Sequence, residues 1–277
     1  MRWQQSRRSD NVVDARGRRA GRRAALGCGP LLILGLLAIV FGADPMQILQ
    51  LVGESQQGAP QVEQAPAAND EASDFIRAVL GDMEDTWRTT APRAGINYRD
   101  PELVLYSGMV QSACGMNSAA TGPFYCPSDQ RIYLDLTFFR ELERYGASGD
   151  FAIAYVIAHE FGHHIQNLSG TLGEVQRLQN RSDQRTANEL SVRTELQADC
   201  YGGVWGYHAR DMLERGDVEE GIDAAAAVGD DRMQQMAGRR VTPDAFTHGS
   251  SRQRTQAFQA GFQSGNPRSC DTFADMR

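Results

Sequence analysis

Residues 24–43, AALGCGPLLILGLLAIVFGA, run for 20 positions without a charged side chain, and nothing else in the chain restricts its organisation as strongly. As a helix rising 1.5 Å per residue, the run spans roughly 30 Å, the thickness of a bilayer's hydrocarbon core. Arg23 closes it on one side and Asp44 on the other. Eight of the 28 basic residues fall within residues 1–23, opposed there only by Asp10 and Asp14. Basic flanks stay in the cytoplasm, so residues 1–23 read as a cytoplasmic tail, 24–43 as a single-pass transmembrane anchor and the rest as extracytoplasmic. A cleaved signal peptide would begin similarly, but Phe41 is too large for its place three residues before a cut after Ala43. Residues 44–71, rich in Gln, Ala and Pro, read as a flexible linker. Residues 72–277 remain for one domain.

With a mean hydropathy of −0.45, the 277-residue chain is no polytopic membrane protein. Beyond residue 23 it carries 20 basic against 33 acidic residues, a balance of −13 that repels phosphate backbones and excludes nucleic acid as a partner. Apart from Cys28 in the apolar run, the cysteines are Cys114, Cys126, Cys200 and Cys270. Four in an oxidising compartment suit two disulfides, with three pairings open. The short Gly- and Ser-containing loop between Cys114 and Cys126 favours that pair, leaving Cys200 with Cys270.

Phe75, Val79, Met83 and Trp87 recur at helical spacing, so residues 72–88 form an amphipathic helix. Short strands are expected at 103–106 and 131–135, the latter as an exposed edge open to an extended peptide. Helices are expected at 137–145, at 151–168 capped by Asp150, at about 186–213, in two Ala- and Met-rich stretches up to 236, and at 250–263. The Met residues from Met212 to Met236 read as helix packing. Many helices and few strands give an α+β class, mostly helical, with a small sheet.

The helix at 151–168 contains His159-Glu160-Phe161-Gly162-His163. Positions i and i+4 share one face, so both imidazoles can bind one divalent ion, and zinc is the ion whose ligand chemistry this suits. Glu160 lies at the edge of that face, within reach of a water but outside the ligand set. The rest of the helix is apolar, so the His-Glu-His face is half-buried and needs a cation beside it. A catalytic zinc takes a third protein ligand and leaves a position open; Glu195, on the next long helix, supplies it. Asp199, one turn on, can accept the second N–H of a ligand imidazole. His164 lies some 140° round the helix from His159, off the metal face, and reads as structural or supporting; His208 reads as a surface residue.

Together these residues resemble the gluzincin metallopeptidases, in which His-Glu-x-x-His is completed by a downstream Glu with Asp four residues on. More narrowly, the chain resembles a bacterial family of neutral zinc metallopeptidases, through Met1-Arg2-Trp3, Ser9-Asp10-Asn11-Val12, the Cys114–Cys126 loop, IYLDLTFF, AHEFGHHIQ, ELQADC and FTHGSSRQR. The resemblance implies a zincin-like domain with one zinc per chain on His159, His163 and Glu195, Glu160 as general base, and a peptide or protein substrate. It implies a location at the bacterial cell membrane, with one N-terminal helix in the bilayer. A more distant similarity, to prenyl-protein endopeptidases, extends to Thr247-His248 with Arg254 six residues beyond His248, although Gly249 stands where those relatives have Pro. It makes His248 the candidate oxyanion stabiliser, with Tyr155 and Tyr201 as alternatives. A helix cap or a core position is the competing role for His248. A competing function of another class is a cell-envelope scaffold or adaptor in which the zinc is only structural.

Overall fold

The computed structural model describes residues 1–16, 70–118 and 122–276. The apolar run at 24–43, Cys28 and residues 44–69 of the expected linker lie outside them. Among the described residues, no helix is long and apolar enough to cross a membrane.

The described chain is mostly helical around one small sheet, an α+β arrangement. Its strands are β1 (Val12–Asp14), β2 (Glu102–Tyr106), β3 (Met109–Ser112), β4 (Gly115–Ser118), β5 (Phe124–Cys126) and β6 (Arg131–Asp135). Four of them form a sheet in the order β1-β2-β6-β5, parallel except for β5 against β6. β3 and β4 make a separate antiparallel hairpin. β6 is therefore an interior strand, hydrogen-bonded on both sides, which corrects the expectation that residues 131–135 form an edge; β5 is the outermost strand there. Only the alternation within β6 is visible in sequence, not its neighbours.

The helices are α1 (Glu71–Thr90), α2 (Phe138–Arg144), α3 (Asp150–Leu168), α4 (Thr171–Gln179), α5 (Gln184–His208), α6 (Asp217–Ala227), α7 (Asp230–Met236) and α8 (Ser251–Ser264). Asp70 caps α1 through the Ser73 amide, Asp183 caps α5 through the Thr186 amide, and Ser250 with Gln253 forms a capping box on α8. Asp150 is not the cap of α3 but its first residue. Gly149, at φ 106°, precedes it, and the Glu220 carboxylate accepts the Phe151 amide in place of a cap. Met212 is buried as expected, whereas Met233 and Met236 are exposed on α7.

α3 is buried on nearly all sides. Phe151 stacks on Trp205, and Phe161 on Trp87. α5 crosses α8 at Gly203 and Gly261, where an added Cβ would lie 2.0 Å from the Phe258 carbonyl oxygen and 1.9 Å from that of Cys200. No larger residue permits that approach. The disulfides are Cys114–Cys126, which ties the hairpin to β5, and Cys200–Cys270, which ties the C-terminal segment to α5.

The N-terminal residues depart from expectation. Rather than a detached tail, residues 1–16 belong to the same compact unit as the described residues from 70 on. Trp3 is buried edge-on against Phe75, and β1 extends the sheet in register, Val12 opposite Leu103. The buried Glu84 carboxylate accepts from Arg7, Ser9 and Asn11, and Arg8 forms a bidentate pair with Asp74. Gly81 lets this strand lie on α1, since a Cβ there would sit 2.5 Å from the Arg7 carbonyl oxygen. Arg16 then pairs with Asp14 and, at 2.7 Å, with Asp70, the cap of α1. Ser9-Asp10-Asn11-Val12 thus serves packing, which its charge-rich surroundings conceal in sequence.

Candidate metal centre

α3 carries His159 and His163 one turn apart, and α5 passes across them. Gly162 makes this possible, because a Cβ there would lie 2.8 Å from the Ala198 carbonyl oxygen. At that separation the Glu195 carboxylate faces both rings, with Oε2 3.1 Å from His159 Nε2 and Oε1 3.4 Å from His163 Nε2. One donor atom from each of the three lies within 4.8 Å of the others.

The Nδ1 atoms face away and are engaged. His159 Nδ1 lies 2.8 Å from Asp199 Oδ1, and His163 Nδ1 lies 2.8 Å from Gln166 Oε1. Asp199 is fully buried and is also held by Arg254, whose Nε reaches Oδ2 at 2.8 Å and Nη2 reaches Oδ1 at 2.9 Å, and by the Tyr155 hydroxyl. Burial opposes the charge on Asp199, but Arg254 and His159 prevail and hold its carboxyl down at about 2. Burial likewise opposes protonation of His159, yet Asp199 and Glu195 push it up to about 10; Glu195 itself is held well below its ordinary value by the two imidazoles. A half-buried carboxylate facing two imidazole nitrogens therefore favours positive charge between them. Two nitrogens and one oxygen are the donor set zinc takes, and the residues fit it.

Glu160, 8% exposed, stands on the wall of a cleft of about 370 Å³ that opens onto the three candidate ligands. Phe124 and Tyr125 of β5 line it opposite α3, with Val156, Phe138 and His248. His248 is neither a cap nor a core residue: Ser250 caps α8, and the His248 side chain is 55% exposed. Its Nδ1 lies 3.2 Å from Asp230 Oδ1, and this hydrogen bond raises its pKa. Asp230 Oδ2 also accepts the amides of Thr247, His248 and Gly249, which clamps the loop. The alternatives for the oxyanion role are otherwise engaged, although Tyr155 also lines the cleft. The Tyr155 hydroxyl is committed to Asp199, and the Tyr201 ring packs edge-on against Trp87. His208 Nε2 meets the Gly265 carbonyl, away from the cleft.

His164 is buried on the far face of α3, its Nε2 donating to the Arg99 carbonyl at 2.7 Å while Nδ1 accepts from the Tyr125 hydroxyl. Burial lowers its pKa from 6.5 to about 4. The folded state therefore prefers the neutral ring, a contribution fully present above pH 6.5 and lost as pH falls toward 4. Urea unfolding should lose roughly 3 kcal/mol over that window from this group, a loss that His164→Gln abolishes.

Reading the sequence alone missed Gln166, Asp230 and the place of β5. Gln166 had a signal, three residues after His163 on the same helical face. Asp230 and β5 had none, since their partners come from distant segments.

A profile of the family described as "Putative neutral zinc metallopeptidase" matches residues 1–273. The chain is 45% identical over 286 residues to the uncharacterized protein YpfJ of Escherichia coli, covering 99% of each chain. It is 38% identical over 258 residues to the uncharacterized proteins Rv2575 of Mycobacterium tuberculosis and Mb2605 of Mycobacterium bovis, covering 86% of this chain and 85% of each relative. No solved structure matches it.

Proposed function

Because the chain belongs to this neutral zinc metallopeptidase family, we propose that it is a zinc-dependent peptidase that hydrolyses peptide bonds in extended segments of protein. The observation that carries this reading is the convergence of His159, His163 and Glu195 on the floor of an open cleft, with Glu160 on its wall. A metal that only held the fold together would need no such opening.

Zinc, when held by those three side chains, supplies a Lewis acid that makes water nucleophilic near neutral pH and polarises a carbonyl. Glu160 handles the proton, taking it from the attacking water and returning it to the amine nitrogen as the C–N bond breaks. Asp199 and Gln166 hold the rings with Nε2 inward. Asp230 holds His248 by Nδ1 and favours the imidazolium, and in that form Nε2–H is the ring donor for the oxyanion. An extended substrate adds to the outer edge of β5, whose backbone fixes its direction past Glu160.

The uncharged run at 24–43 supports attachment to a lipid bilayer, and the two disulfides support an oxidising, extracytoplasmic setting.

Metal analysis of the purified full chain beside His163→Ala, with cleavage of an unfolded protein followed during chelation and zinc addition, tests this function. One zinc per chain, absent from the variant, and cleavage lost and regained with the metal are expected. A wild-type chain that holds zinc and cleaves nothing would leave the scaffold role.

A further inference from the structure

We propose that Gln166 is the positioning residue for His163, fixing which ring nitrogen faces the cation, and that its own orientation is locked from behind through Gln197. The proposal rests on the zinc-peptidase reading above and adds to it a residue outside the ligand set.

Two backbone carbonyls, of Thr194 and Cys270, set the orientation of both amides. Gln166, 0% exposed, places Nε2 2.7 Å from the Thr194 carbonyl oxygen. A carbonyl only accepts, so the NH₂ end of the amide must lie there and Oε1 is left facing His163 Nδ1 at 2.8 Å. Oε1 also only accepts, so Nδ1 must carry the hydrogen. Nε2 then presents its lone pair on the side of Glu195 and His159. The tautomer follows from donor and acceptor counting alone, without any hydrogen being seen.

The second hydrogen of Gln166 Nε2 goes to Gln197 Oε1 at 3.1 Å. Gln197 is buried as well, and its Nε2 donates to the Cys270 carbonyl oxygen at 2.9 Å. Turning either amide over would set carbonyl oxygen against carbonyl oxygen and leave a buried group unpaired, at about 1–3 kcal/mol each. The Cys200–Cys270 disulfide ties the last carbonyl to α5, the helix that also carries Glu195. The two ligand rings are thus supported differently: His159 by a carboxylate neutralised by Arg254, His163 by an uncharged amide. A carboxylate at position 166 would accept from His163 and oppose the Thr194 carbonyl. Only an amide side chain satisfies both neighbours while ionisation is excluded.

The test is zinc affinity of the full chain by chelator competition, with ¹⁵N-histidine spectra of the zinc-loaded protein reporting the His163 tautomer. Gln166→Met keeps the volume and removes the acceptor; it should weaken zinc by about 10- to 100-fold and lose the Nδ1–H signature of His163. Gln197→Leu, which leaves His163 and Gln166 in place, should weaken zinc by a smaller factor and serves if Gln166→Met does not fold. Wild-type affinity together with an unchanged tautomer in a folded variant overturns the proposal. A wild-type chain without zinc would instead refute the peptidase reading itself, so the two failures are distinguishable.

Discussion

Glu160→Gln should lower kcat on an unfolded protein substrate by about 10²- to 10⁴-fold while zinc content and the circular dichroism spectrum stay unchanged. The substitution keeps shape and volume, and Glu160 lies outside the three-residue donor set, so neither fold nor metal has reason to change. What disappears is basicity, since an amide cannot take the proton of an attacking water. Because Glu160 lines the cleft beside its neighbour His159, no bulk solvent base can occupy the same place when substrate fills it. Steady-state kinetics alongside metal analysis decide the matter, and an equally active variant removes Glu160 from the chemistry.

Asp199→Ala should destabilise the zinc-free chain by about 3–5 kcal/mol in urea unfolding, and weaken zinc about 10- to 100-fold besides. Arg254 is 4% exposed, and Asp199 is the carboxylate its Nε and Nη2 both reach. Removing that carboxylate strands a guanidinium in the interior and takes away the acceptor of His159 Nδ1. Replacing both residues by Leu should cost less than the two single changes added together, because the double variant leaves no unpaired charge. Strict additivity in that cycle would mean that Asp199 and Arg254 do not act as a pair.

The centre was legible in sequence where its geometry is local. His159, Glu160 and His163 follow from helical spacing, and Glu195 with Asp199 repeats that spacing on the next long helix. Arg254 could be singled out only through distant relatives, because its partner Asp199 lies 55 residues away and in contact only after α8 crosses α5 at Gly203 and Gly261. β1 is three residues long, too short for any alternation to register, and its pairing with β2 spans the whole apolar run. The helix at Thr171–Gln179 escaped notice because it follows Gly170 without a side-chain cap.

The ion pair between Arg16 and Asp70 gives one carboxylate two neighbours. Asp70 accepts the guanidinium that follows β1 through Oδ2 and the Ser73 amide at the start of α1 through Oδ1. A change at Asp70 should therefore loosen the N-terminal strand and fray the helix together, whereas Arg16→Gln should touch the strand alone.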